Sequence, residues 1–70
     1  MKKISMAAAR VNAHKTQKEL SEALGVSKNM VIDWELDRKP IPIEKLKQYC
    51  ALCGCNPKDI DCRVLAVTRL

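Results

Sequence analysis

The chain has 70 residues, 47% of them hydrophobic and 30% charged, which fits one small globular domain and excludes a disordered tail, where the apolar share is lower. Phe is absent and Trp34 and Tyr49 are the only aromatics, so the core must come from Leu, Ile, Val, Ala, Met and Cys on short helices, with little room for a large catalytic pocket. Thirteen Lys and Arg against eight Asp and Glu leave a formal charge of +5, which biases association toward polyanions such as nucleic acid.

In chain order, Lys2 and Lys3 precede only six uncharged residues before Arg10, too few for the apolar centre of a secretory signal. Ser5 can cap a first helix over Met6 to about Asn12, where alanines favour the helical state. Thr16, Gln17, Lys18, Glu19 is a capping box that starts a second helix with Leu20, Ala23 and Leu24 on its apolar stripe. Gly25 ends it, because a left-handed residue costs least without a Cβ. Ser27 caps a third helix that carries Met30, Val31 and Trp34 and runs to about Leu36.

Arg38 to Ile41 reads as a loop. Pro42 suits the first turn of a fourth helix with Ile43, Leu46, Tyr49, Cys50 and Cys53 on its apolar side, and Gly54 stops it. Asn56 and Pro57 start a fifth helix of about one turn around Lys58 to Asp61. Val64 to Val67 is an apolar run of ambiguous period, a strand, a helix continuation or a partner-binding tail. The longest uncharged stretch is the ten residues from Gln48 to Pro57, half of the roughly 20 that a membrane-spanning helix needs.

Leu20, Ser21, Leu24, Gly25, Val26, Val31 and Trp34 describe two helices joined by a tight turn, with a small residue where they cross and apolar residues where they face. On these residues, and on the stretch TQKELSEALGVSKNMVIDWE from Thr16 to Glu35 with the proline and helix that follow, the chain resembles the phage repressor and Cro-like, or Xre, helix-turn-helix family over about residues 5–61. The resemblance implies an all-α fold: a compact bundle of about five short helices, lambda repressor-like, as one domain over 1–70. The helix-turn-helix occupies 16–36 and a short apolar tail 62–70.

In that arrangement the second helix of the pair enters the major groove near its N-terminal end, and the first lies across the backbone. The reading helix is 28–36. Lys28 can donate to guanine O6 and N7, Asn29 can pair with adenine N6 and N7, and Asp33 can accept from cytosine N4. Ile32 can meet a thymine methyl, or else pack into the core. Gln17, at the start of the second helix, sits where amides and dipole favour a phosphate. Ser27 is a phosphate donor if capping leaves its hydroxyl available. Arg38 and Lys39 resemble loop cations that clamp the backbone, the alternative being an ordinary solvated loop. Arg10 and Glu35 resemble a structural ion pair linking helix one to the end of helix three. The sequence departs from the family pattern where His14 and Lys15 replace a common glycine and apolar residue, and where Leu36 and Asp37 replace a common Asn-Gly. The phosphate contact of that last amide is therefore not carried over.

Cys50, Cys53, Cys55 and Cys62 read C-x2-C-x-C-x6-C. Four thiolates can hold zinc, but this is not a paired C-x2-C framework. Three of them fall where the family places small or apolar core residues, so they are read as reduced structural thiols with no metal and no cofactor. His14 stands alone as a turn residue, and no catalytic constellation exists, so no enzyme and no small-molecule substrate is expected. The expected function is a sequence-specific double-stranded DNA-binding regulator, a cytoplasmic bacterial or phage repressor working as a homodimer. The alternative is a helix-turn-helix kept as a protein-interaction module.

Overall fold

A computed structural model describes residues 3–65. A two-residue strand β1 (Ile4–Ser5) leads into helices α1 (Met6–Asn12), α2 (Gln17–Leu24) and α3 (Lys28–Glu35). A second short strand β2 (Ile41–Pro42) leads into α4 (Ile43–Cys53), and a 3-10 turn (Pro57–Asp59) is followed by β3 (Ile60–Asp61) and β4 (Val64–Leu65). No helix among the described residues is long and apolar enough to cross a membrane.

The helix starts follow from local chemistry. Ser5, Thr16 and Ser27 each accept a hydrogen bond from an amide three residues on, and Thr16 and Glu19 complete a reciprocal capping box. This satisfies amides that the first turn of a helix otherwise leaves orphaned. The hydrogen bond from the Thr16 amide holds the Glu19 carboxyl below its usual pKa. Pro42 is the residue before α4, not part of its first turn, and provides no side-chain cap.

The core gathers one face from each helix: Met6 and Ala9, Leu20 and Leu24, Val31 and Trp34, then Leu46, Tyr49 and Cys50, closed by Ile41 and Ile60. Burying such a side chain contributes about 1.5–3 kcal/mol. Ser21 is buried where α2 and α3 cross, and its hydroxyl donates to the Lys18 carbonyl at 2.8 Å. That small, internally bonded side chain lets the helices approach without stranding a polar atom.

Two features correct the all-α, five-helix expectation. The fifth helix is only a 3-10 turn capped by Asn56, and among the described residues four short strands form two parallel pairs. Ile4 pairs with Ile60 and Ser5 with Asp61; Ile41 pairs with Val64 and Pro42 with Leu65. The C-terminal segment is thereby stitched first to the start of α1 and then to the start of α4. Two-residue strands are too short to carry a period-two pattern, and their partners are distant in sequence. The ambiguous tail begins as a strand at Val64–Leu65; its continuation over 66–70 lies outside the described residues.

Candidate nucleic-acid interface

Glu35, the last residue of α3, joins all four helices. Arg10 of α1 grips its carboxylate with two nitrogens, Nε to Oε2 at 2.7 Å and Nη2 to Oε1 at 3.3 Å. Gln17 of α2 donates Nε2–H to Oε1 at 3.0 Å. The Tyr49 hydroxyl of α4 lies 2.7 Å from Oε2 and 2.8 Å from the Met6 carbonyl oxygen, two acceptors for one proton. Only 3% of the Glu35 side chain and 15% of the Arg10 side chain is exposed, so this is a nearly buried pair whose remaining lone pairs are satisfied. Burial alone pushes the Glu35 carboxyl up, but the bonds from Arg10, Gln17 and Tyr49 and the Arg10 charge outweigh it and hold the group below its usual pKa. The bond to Glu35 holds the Arg10 pKa above its usual value despite desolvation. Burial, then the neighbouring Glu35, raises that of Tyr49. Arg10 also donates Nη1–H to the Lys15 carbonyl at 3.1 Å, fixing the turn between α1 and α2.

With one face of α3 held down by Val31, Trp34 and Glu35, the opposite face is turned outward. Lys28 and Asn29 are exposed in its first turn, and Ile32 and Asp33 are half-buried. Ile32 belongs neither to the core nor to the apolar side chains packed against it, so the core-packing alternative does not describe it. Asp33 faces two cations of the following loop, Arg38 Nη1 at 3.5 Å and Lys39 Nζ at 3.8 Å. Ser27 accepts from the Met30 amide at 3.1 Å, which occupies its oxygen and not its proton. Gln17 spends one amide hydrogen on Glu35; the group carries two.

The loop after α3 folds back as a left-handed cap. The Arg38 amide donates to the Asp33 carbonyl at 2.8 Å and the Asp37 amide to the Trp34 carbonyl at 3.2 Å, with Asp37 at φ 62°. These are the paired bonds of a Schellman ending. Asp37 thus takes the conformation of the glycine it replaces, and His14 does the same after α1 at φ 60°.

Sequence reasoning misses two contributors. The apolar face of α4 accounts for the ring of Tyr49 but not for its hydroxyl, which reaches Glu35. Arg63 bonds to Asp37 from 26 residues away; no local signal marks a lone arginine in an apolar segment. Of the cysteines, Cys50 is buried in the core and Cys53, Cys55 and Cys62 pack against it as free thiols. Burial pushes the Cys50 thiol up to about 12 and raises those of Cys53 and Cys62, so these sulfurs stay protonated near neutrality. Among the described residues no group of three His, Cys, Asp or Glu is arranged to hold a metal ion.

A helix-turn-helix family model of the repressor-like kind matches residues 6–60, from the start of α1 to β3. The chain belongs to this repressor-like helix-turn-helix family. It is a family of DNA-binding regulators and not of enzymes. The comparison with curated proteins and that with solved structures found no match.

Proposed function

We propose that the protein is a sequence-specific repressor that occupies operator DNA by laying α3 in the major groove. The observation that carries this reading is the exposure of Lys28 and Asn29 together in the first turn of α3, on a helix whose opposite face is locked into the core. A groove-reading helix needs long donors at its N-terminal end on a rigid support. Lys28, Asn29, Ile32 and Asp33 read base edges, while Gln17, Ser27, Arg38 and Lys39 position the backbone. For Gln17 the bond to Glu35 presets the side chain, leaving the second amide hydrogen for a phosphate.

Selection from random duplex DNA at fixed salt tests this directly: one enriched motif is expected. An absence of enrichment favours a protein-interaction module, the reading that the carboxylates of Asp33 and Asp37 on this face support. On the selected site, Lys28→Ala or Asn29→Ala costs about 1–3 kcal/mol at particular base pairs. Equal losses on every single-base variant contradict the assignment.

The same reading makes the protein a homodimer on a two-fold related site, because one small reading head contacts too few bases to select a site among many competitors. The two reading helices then lie about 34 Å apart. Val64 and Leu65 in β4 are 39% and 45% exposed and offer an apolar surface to a second copy; the rest of the apolar tail, 66–70, lies outside the described residues. Sedimentation with and without the selected site, repeated on a chain truncated after Arg63, checks it. One protein per non-palindromic site, unaffected by truncation, overturns the dimer.

A further inference from the structure

The loop carrying Arg38 and Lys39 is gripped at both ends by a single residue. Arg63 donates through Nη2 to the Asp37 carbonyl at 2.8 Å and through Nε to Asp37 Oδ1 at 3.1 Å. The carbonyl of Arg63 accepts from the Ile41 amide at 3.0 Å, and the chain continues directly into β4, paired with β2. Pro42 has no amide hydrogen to give, so the Ile41 bond anchors this end. Beside Asp37 lies an open cleft of about 180 Å³, bordered also by Trp34, Cys62 and Arg63. Packed side chains therefore do not hold Asp37 from that side. Asp37 stands at φ 62°, a conformation that aspartate tolerates but does not favour.

We propose that Arg63 is a positioning residue for DNA binding: its clamp on Asp37 and Ile41 sets where Arg38 and Lys39 meet the phosphate backbone, without itself touching the duplex. This rests on the DNA-binding reading above. Arg38 and Lys39 are 65% and 59% exposed and, among the described residues, reach only Asp33, in loose ion pairs of 3.5 and 3.8 Å, so the loop backbone sets where their charges can meet a phosphate. A guanidinium bound at two points on one residue fixes direction as well as distance, which an ammonium cannot do.

The test measures duplex affinity across a salt series for the wild type, Arg63→Ala, Arg63→Lys, the Arg38→Ala/Lys39→Ala pair and the triple variant. Arg63→Ala weakens binding to every duplex about tenfold and makes the salt slope shallower by about 0.9 for each phosphate that is no longer neutralised. In the background without Arg38 and Lys39 it has no further effect, the signature of coupled residues. Arg63→Lys keeps the charge and binds as weakly as Arg63→Ala. Full recovery by Arg63→Lys, or an equal loss in both backgrounds, overturns the proposal, because Arg63 then acts as a charge of its own. Amide exchange of the free protein gives a readout without DNA: exchange at Asp37 and Arg38 accelerates in Arg63→Ala, while Ile41, bound to the main-chain carbonyl of residue 63, keeps its partner; unchanged exchange at Asp37 and Arg38 also overturns the clamp. A wild type that binds no duplex at any salt defeats the DNA reading before any variant is compared.

Discussion

The backbone turns left-handed on both sides of α3, at Gly25 before it and at Asp37 after it. The first turn is a local affair. Glycine adopts φ 72° without a Cβ penalty, and the amides of Gly25 and Val26 close the end of α2 within five residues. The second turn uses the same hydrogen-bond pattern on a residue less suited to it, and long-range bonds surround it: Glu35 tied to three other helices, Asp37 tied to Arg63. The entry to α3 is thus specified by chain chemistry, and its exit by the assembled fold.

The largest break of this contrast is expected at the four-helix junction. Arg10→Ala leaves the Glu35 carboxylate nearly buried without its charge partner, costing about 3–5 kcal/mol in denaturant unfolding. A loss under about 1 kcal/mol would mean that the exit is held locally after all. The junction also titrates. The folded Glu35 pKa is lowered from 4.5, so the unfolded chain takes up the proton first. The stabilisation is complete above the unfolded value, declines as the pH falls past it, and vanishes below the folded value. Urea midpoints of the wild type should fall with acidification through this range, and more steeply than those of Glu35→Gln.

At the entry the costs are smaller and local. Gly25→Ala should destabilise by about 1–2 kcal/mol through the left-handed backbone alone, since an added Cβ meets nothing within 4 Å. Thermal unfolding checks it, and a much larger loss would reveal packing where the structure shows open space. Thr16→Ala removes one side of the capping box and should cost about 1 kcal/mol, read by the same melts.

Arg63→Ala is expected to do least to stability, under about 1 kcal/mol, because its pair with Asp37 is exposed on both sides. Its effect belongs to loop placement. A large loss of stability in chemical unfolding would make Arg63 part of the core support, and the distinction between the two ends of α3 would blur.

How far these features were legible depends on the range of the forces behind them. Capping by Ser5, Thr16 and Ser27, termination at Gly25 and Gly54, and the apolar stripes of α2 and α3 all involve residues a few positions apart. Hydrogen-bond geometry and helical period therefore wrote them into the sequence. The Arg10 and Glu35 pair was visible only through family resemblance, since nothing local connects residues 25 apart.

By itself, then, the sequence determined the four helices, the side-chain caps of the first three, the helix-turn-helix crossing at Ser21, and which face of α3 turns outward. Each of these is fixed by neighbours within about two helical turns. Tertiary structure alone decided that the last predicted helix is a 3-10 turn flanked by paired strands, that Tyr49 completes the junction at Glu35, and that Arg63 closes the loop after α3. Strand pairs of two residues and single side-chain bonds between distant segments have no periodicity to betray them. They form only once burial of the core has brought α1, α4 and the C-terminal segment within hydrogen-bonding distance.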